Sequence, residues 1–193
     1  MGTTLKSSKD YRMIPRSLRR LHWYWQQQRS QSVHLQPRYS RQQVLGSWLG
    51  ALVGIGLLSW LTQISGYPLV AAPMGATSVL LFGVPSSPLA QPRNVILGNS
   101  LGAVVAVLCV LLLGGSPWSM GFAVGVTIAL TQLLRCVHPP AGAVALLGVI
   151  VKAQWAYILL PVLSGSVLLC VITALYSRWA PDRQHRRYPL SWL

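Results

Sequence analysis

The stretch NVILGNSLGAVVAVLCVLLLG, residues 94–114, contains no charged side chain. Its length matches the roughly 20 apolar residues that an α-helix needs to cross a bilayer. Three further stretches of similar composition occupy residues 44–63, 117–134 and 154–177. Because aromatic belts form at membrane interfaces, the tryptophans at or near the ends of these stretches support the assignment: Trp60, Trp118, Trp155 and Trp179. The sequence therefore predicts an all-α membrane protein with a bundle of four long transmembrane helices.

Two shorter apolar segments lie between the long ones, at residues 70–84 and 139–151. Each has a proline and a glycine near its start. At about 14 residues they are short for an ordinary transmembrane helix. Such segments are tolerated at membrane depth when other helices bury them. We therefore expect two short helices, broken or re-entrant, that begin at Pro and Gly.

The composition excludes several classes of function. The chain has 193 residues, of which 52% are apolar and only 9% are charged. Lys and Arg total 16 against 2 acidic residues, and residues 11–181 contain no carboxylate. A carboxylate dyad or an Asp-supported catalytic triad is therefore excluded within that range. The three cysteines form no CxxC pair. We expect no metal, no cofactor and no enzymatic activity.

Charge divides the chain into three zones. Residues 1–41 form a basic tail, expected in the cytoplasm near anionic lipid. Residues 42–177 form the transmembrane domain, and residues 178–193 form a second basic tail. Residues 16–25 combine arginines with tryptophans, a composition that could also bind nucleic acid. A lipid surface explains the same residues more simply, so we expect the bilayer as a partner and no nucleic acid.

An internal repeat organises the transmembrane domain. An offset of 67 residues pairs PMGA at residues 73–76 with PAGA at residues 140–143. The same offset pairs Gly54 with Gly121 and Gly98 with Gly165. Each unit then contains a long helix, a short Pro-Gly segment and a long helix. Interrupted segments at corresponding positions of two repeats indicate the binding site of a transporter.

The topology depends on whether the short segments cross the membrane. With six crossings, both tails, Arg93 and Arg135 lie on the cytoplasmic side, and Lys152 lies outside. With four crossings, the two arginines join Lys152 outside. The positive-inside rule favours six crossings. Three-helix units must then be inverted relative to each other, as in inverted-repeat transporters.

The motif RCVHPPAGA, residues 135–143, carries the strongest candidate site. Proline is favoured at the first turn of a helix, so we expect a helix to start near Pro140. Its free N–H groups and positive dipole would face His138 and Arg135, which favours binding of an anion. Pro73 would start a matching helix in the other repeat. Two simpler interpretations stay open: Arg135 as an interfacial anchor, and His138 as a structural hydrogen-bonding residue.

Three blocks closely resemble the HPP family of integral membrane proteins: APMGA (72–76), PSSPLAQPR (85–93) and HPPAGA (138–143). The resemblance implies a small membrane protein, usually described with four transmembrane spans. It also implies nitrite as a substrate, because cyanobacterial and chloroplast members are implicated in nitrite transport. The family context adds Arg93 to the site. The candidate substrate-binding residues are Arg135, His138, Pro139, Pro140, Gly142, Pro73, Gly75, Thr77, Ser78 and Arg93.

These features together predict transport of a small inorganic anion, with nitrite as the first candidate. Co-transport of a proton would cancel the electrical cost of anion entry, about 2.3 kcal/mol per 100 mV, and His138 is the candidate proton acceptor. A passive anion channel and a non-transporting scaffold that acts through the basic tail are the alternatives. The membrane is expected to be the plasma membrane, with the thylakoid and the chloroplast envelope as alternatives. The glycine faces would also suit a homo-oligomer.

Overall fold

The computed structural model describes residues 15, 18, 20, 21, 23–26 and 38–191. The chain divides into two compact units, Met1–Tyr39 and Ser40–Leu193. In the first unit, the described residues 18, 20, 21 and 23–26 are helical and exposed, and the rest of the basic tail lies outside the described residues. All regular elements in the described part of the second unit are helical. The expected all-α membrane fold is therefore confirmed.

The described residues of the second unit form six α-helices, and two of these helices are joined to a π-helical turn. Helix α2 continues into the π-turn Val79–Gly83, and the π-turn Ile158–Leu163 leads into α6. A 3₁₀ turn, Pro88–Ala90, lies between α2 and α3. The α-helices are α1 Arg41–Ser65, α2 Pro73–Ser78, α3 Pro92–Leu113, α4 Pro117–Leu133, α5 Pro140–Ile150 and α6 Ser164–Trp179.

Local sequence signals set the helix boundaries. Helix α1 begins with a capping box, in which Ser40 and Gln43 exchange side-chain to backbone hydrogen bonds, and it ends at Gly66 with a φ of 71°. Glycine adopts that conformation without steric cost. Helices α2, α3, α4 and α5 all have proline in the first turn. The expected helix starts at Pro73 and Pro140 are therefore observed.

Three helices are long and apolar enough to cross a bilayer: Arg41–Ser65, Pro92–Leu113 and Ile158–Trp179, which includes the π-turn. The fourth expected long helix, α4, has 17 residues. At 1.5 Å per residue it rises about 26 Å, less than the roughly 30 Å of a hydrocarbon core. The count of four long helices therefore remains a prediction. The expected short helices appear as Ala72–Gly83 and Pro140–Ile150.

Glycines decide where the helices approach most closely. On α1, a Cβ at Gly50 or Gly54 would collide with the ring of Phe82. On α3, a Cβ at Gly102 would collide with the Ala141 carbonyl oxygen of α5. By contrast, a Cβ at Gly121 of α4 would meet no described atom within 4 Å. The glycine spacing on α1 and α3 therefore serves packing between helices.

Contacts between loops show which helix ends lie together. Gln91, just before α3, accepts a hydrogen bond from the backbone of Leu190, which follows α6. Arg93 donates to the carbonyl of Leu134, at the end of α4. Lys152 packs against Gly115, at the opposite end of α3 and α4. Arg93 and the residues after α6 thus lie at one end and Lys152 at the other, as in the six-crossing arrangement.

The segment after α6 differs from the tail expected at residues 178–193. Residues 180–190, here called the C-terminal strap, pack against the helices. Asp182 and Arg186 form a buried ion pair with a 3.0 Å separation. Tyr188 is buried in a cluster with Leu81, Phe82 and other apolar residues, and burial raises the pKa of its phenol well above the usual range. The tail is basic in composition, but its central residues are part of the folded domain.

Candidate functional site

The two short helices meet at one buried polar contact. Thr77 lies in the second turn of α2, and His138 lies two residues before α5. The Thr77 Oγ1 and His138 Nε2 atoms are 3.0 Å apart, and both side chains are buried. The structure therefore brings together two of the residues expected in the site, one from each sequence repeat.

The partners of His138 fix its protonation pattern. His138 Nδ1 lies 2.9 Å from the carbonyl oxygen of Leu89. A carbonyl oxygen can only accept a hydrogen bond, so Nδ1 carries the proton. In the neutral ring Nε2 is then the acceptor, and the Thr77 hydroxyl donates to it. Both ring nitrogens are satisfied in the neutral form, so protonation of Nε2 requires the Thr77 hydroxyl to turn to another acceptor.

A glycine of α3 allows the segment before α5 to lie this deep in the bundle. A Cβ at Gly98 would lie 2.8 Å from the His138 Cβ and 3.1 Å from the Cys136 carbonyl oxygen. Both distances are shorter than ordinary van der Waals contacts. Any side chain at position 98 would therefore push residues 136–138 away from α3 and displace His138.

The first amide groups of the short helices are not free, contrary to the expectation from sequence. The Ala141 and Gly142 N–H groups donate to the carbonyls of His138 and Pro139. Those of Met74 and Gly75 donate to the carbonyls of Ala71 and Ala72. The reason is that Ala72 and Pro139 already have helical dihedral angles. Their tight turns use amides that an anion would otherwise bind.

The two candidate arginines lie outside the buried contact. Arg93 is exposed, and its Nη2 donates to the Leu134 carbonyl at 3.3 Å. Arg135 is also exposed and has a φ of 53°, an uncommon conformation for a residue with a Cβ. Arg93 therefore lies beside the turn that carries Arg135. Both guanidinium groups stand at the surface end of the site, not beside His138.

The remaining candidate residues shape the helices and an adjacent cleft. Ser78 donates to the Gly75 carbonyl within α2. Pro73 and Pro140 are buried at the helix starts, and Gly75 is exposed. A cleft of about 510 Å³ between α4 and α5 is lined by His138, Pro139 and Gly142 among mostly apolar residues.

Three participants are not among the site residues predicted from the sequence. The Leu89 carbonyl binds His138, but a backbone acceptor has no sequence signature. Gln91 donates to the carbonyls of Pro85 and Ser87 and so closes the loop that presents Leu89. Asn99 of α3 donates to Ser166 of α6 at 3.0 Å. That last pair was detectable, because its members are separated by the repeat offset of 67 residues.

The described residues contain no group of three or more His, Cys, Asp or Glu side chains that could hold a metal ion. Cys109, Cys136 and Cys170 are buried free thiols. The polar atoms near the site therefore belong to His138, to hydroxyl and amide side chains, and to the backbone.

Comparison with known sequences identifies one family. The sequence profile of the HPP transmembrane region matches residues 36–189. This range contains all six α-helices of the described residues and most of the C-terminal strap, so the match covers nearly all of the folded unit.

Two proteins of Dictyostelium discoideum, both described as transmembrane proteins, are similar to the chain. One is 33% identical over 158 residues, which cover 76% of this chain and 54% of the relative. The other is 32% identical over 167 residues, which cover 80% of this chain and 53% of the relative. The chain thus spans about half the length of these curated relatives. No solved structure matches it significantly.

Proposed function

The chain belongs to the HPP transmembrane family, and on this premise we propose that it carries a small inorganic anion, with nitrite as the first candidate, across a membrane. The curated relatives are described only as transmembrane proteins. The proposal of transport therefore depends on how the two sequence repeats are packed.

The observation that carries the proposal is reciprocal packing between the repeats. Gly98 of the first repeat packs against the Cys136 carbonyl of the second, and Gly165 of the second packs against the Leu69 carbonyl of the first. The offset of 67 residues pairs Gly98 with Gly165 and Leu69 with Cys136. Each repeat therefore makes the same contact with the other, as expected for two units related by a twofold axis.

The directions of α3 and α6 support an inverted relationship. Val95 of α3 shares a buried cluster with Cys170 of α6. Ala103 shares a second buried cluster with Val162. Ala103 lies eight residues after Val95, whereas Val162 lies eight residues before Cys170. The two helices are therefore antiparallel, with the Asn99–Ser166 hydrogen bond between these clusters. The twofold axis would pass through this hydrogen bond, parallel to the membrane plane.

Inverted repeats with interrupted helices are the architecture of many secondary transporters. In such proteins one repeat rocks against the other, and a central site opens to one side and then to the other. Here the interrupted helices α2 and α5 meet at Thr77 and His138. We place the substrate path along this contact and the adjacent cleft.

An anion is the substrate class that the charges favour. The described residues from 38 to 181 contain no acidic side chain. Arg93 and Arg135 are exposed at the end where the loop bearing Leu89 lies. They would raise the local anion concentration at the entrance. The first amides of α2 and α5 could contribute further donors, but only in a state in which their turns have opened.

His138 would link anion movement to proton movement. Because its Nε2 accepts a hydrogen bond from Thr77, a proton can bind there only when this pair separates or the hydroxyl turns. Proton binding is then coupled to relative movement of α2 and α5. This coupling would offset the roughly 2.3 kcal/mol per 100 mV that opposes anion entry into an inside-negative compartment.

Nitrite uptake into proteoliposomes, with and without an inward proton gradient, tests the proposal. The leak of nitrous acid through protein-free liposomes must be subtracted. We expect saturable uptake that the gradient accelerates and that His138→Ala and Arg135→Ala reduce. Protein-dependent uptake that ignores the gradient would instead indicate a passive channel. No flux of nitrite, nitrate or chloride would contradict transport of a small anion.

A further inference from the structure

The C-terminal strap is held by a buried arginine with an unusual number of partners. Arg186 donates to both carboxylate oxygens of Asp182, each at 3.0 Å. Its Nη1 donates to the Phe82 carbonyl at 2.8 Å, and its Nη2 lies 3.3 Å from Ser47 Oγ. Its guanidinium also lies 5.8 Å from the centre of the Tyr176 ring. One side chain of the strap therefore contacts α1, α6 and the end of the π-turn after α2.

The strap has a second attachment eight residues after Asp182. The Leu190 N–H donates to Gln91 Oε1 at 2.8 Å. Between the two attachments, Tyr188 is buried in one cluster with Ala90 and Cys170. The strap therefore binds at Phe82 and at Gln91. These two residues flank residues 83–90, the loop that joins α2 to α3.

That loop is directly connected to the candidate site. The side-chain Nε2 of Gln91 donates to the carbonyls of Pro85 and Ser87 at 3.0 and 2.9 Å. Within the same loop, the Leu89 carbonyl accepts the hydrogen bond from His138 Nδ1. Hydrogen bonds therefore run from Leu190 to Gln91 and from the loop to His138. The strap is therefore connected, through Gln91, to the loop that carries the histidine's acceptor.

We propose that the C-terminal strap is a latch that keeps the loop of residues 83–90 closed over His138. While Arg186 and Leu190 are bound, Phe82 and Gln91 hold both ends of this loop. Release of the strap frees the loop, withdraws the Leu89 carbonyl from His138 and opens this end of the protein. The path that opens is the anion path, so this role in transport rests on the proposed function.

Two native cysteines report the two parts of this mechanism separately. Cys170 is buried beside Tyr188 of the strap, so its reaction with a water-soluble maleimide reports release of the strap. Cys136 is buried two residues before His138, so its reaction reports opening of the site. Each would be measured in a variant of the full-length protein that retains only that cysteine.

Arg186→Ala should accelerate alkylation of both cysteines by about tenfold or more, because it removes the contacts that hold the strap. Arg187→Ala is the matched control, since Arg187 is exposed in the same strap. We expect this control to react like the parent. If Arg186→Ala accelerates only Cys170, or neither cysteine, the latch is wrong. Alkylation requires no transport, so this result is independent of the substrate.

A reversible cross-link covers the case in which Arg186→Ala fails to fold. A Cβ at position 46 would lie 2.7 Å from the Asp182 Cγ, so Gly46→Cys with Asp182→Cys places two thiols within reach of a disulfide. With Cys136 as the reporter, we expect slow alkylation in the oxidised protein and fast alkylation after reduction. Equal rates in the two states would overturn the latch. If nitrite uptake occurs at all, oxidation should also stop it reversibly.

Discussion

The Asn99 amide of α3 donates a 3.0 Å hydrogen bond to Ser166 Oγ of α6, and the two residues are separated by 67 positions. This is the offset that superimposes the two sequence repeats. Both side chains are fully buried. The pair therefore lies at the point where the two sequence repeats meet. It also defines the centre about which we propose that the two repeats move against each other.

Removing this hydrogen bond should destabilise the bundle modestly. We expect Ser166→Ala and Asn99→Leu, combined in a double-mutant cycle, to give a coupling energy of about 0.6–1.7 kcal/mol, the range for hydrogen bonds between membrane helices. Unfolding in detergent measures it. A coupling energy near zero would mean that the pair does not link α3 to α6.

The reciprocal glycines should be equally intolerant of a side chain. Gly98→Ala and Gly165→Ala each place a Cβ against a carbonyl of the other repeat, and we expect each to cost about 1–3 kcal/mol of stability. Gly121→Ala, which places a Cβ in open space, is the matched control and should be neutral or slightly stabilising. Similar stability in all three variants would contradict the reciprocal packing.

Thr77→Val removes the hydroxyl group but keeps nearly the same side-chain shape, so it tests the hydrogen bond to His138. The substitution leaves His138 Nε2 buried without its donor, and such an unsatisfied group costs about 1–3 kcal/mol. Thermal unfolding measures this loss. Thr77→Ser retains the hydroxyl and is the control. If proton coupling passes through this pair, Thr77→Val should also weaken the response of nitrite uptake to a proton gradient, and an unchanged response would exclude Thr77 from the coupling.

Arg135 has a positive charge and a left-handed backbone conformation. A single substitution can remove the charge and keep the backbone conformation. Asn tolerates positive φ but carries no charge, so Arg135→Asn should leave stability within about 0.5 kcal/mol of the parent. We expect it to reduce uptake at low nitrite concentration because an entrance charge is lost. The measurement is the initial rate as a function of concentration, compared with Arg135→Lys. Equal reduction by Lys would show that the side chain does not act through its charge.

The buried ion pair of the strap should dominate the stability of its end of the molecule. Arg186→Ala leaves Asp182 buried without its partner, a change that costs about 3–5 kcal/mol in other proteins. The exposed Arg183→Ala should have little effect. Unfolding of both variants in the same detergent compares them directly, and a small effect of Arg186→Ala would show that water reaches Asp182.

Much of this fold could be predicted because its signals are local. Proline at the first turn marked α2 and α5, and uninterrupted apolar runs marked α1, α3 and α6. The strap could not be predicted from composition. Arg186 can be buried because its guanidinium donates to the Phe82 carbonyl, and Phe82 lies 104 residues away in the sequence. The i, i+4 spacing of Arg186 from Asp182 was visible, but the surrounding arginines made the segment resemble a solvated tail.

The candidate site was predicted in part. The sequence predicted Thr77 and His138 from two helix starts, and the structure joins them. It also predicted free amides at those starts, which was wrong because the preceding residues already have helical dihedral angles. Whether the first amides of a helix are free depends on the backbone dihedral angles of the residues before it. The sequence placed Arg135 next to His138, whereas both arginines are exposed in the structure, a difference that depends on side-chain positions.

The most direct test of the central proposal is exchange of isotopically labelled nitrite across proteoliposome membranes. In a carrier, the central site turns back to the outside faster with bound substrate than without it. Unlabelled nitrite inside the vesicles, at the same concentration as outside, should therefore accelerate uptake of labelled nitrite. We expect this acceleration in the parent protein and its loss in Gly98→Ala and His138→Ala. Labelled uptake that internal nitrite does not accelerate, or uptake no faster than in protein-free vesicles, would contradict an inverted-repeat anion carrier.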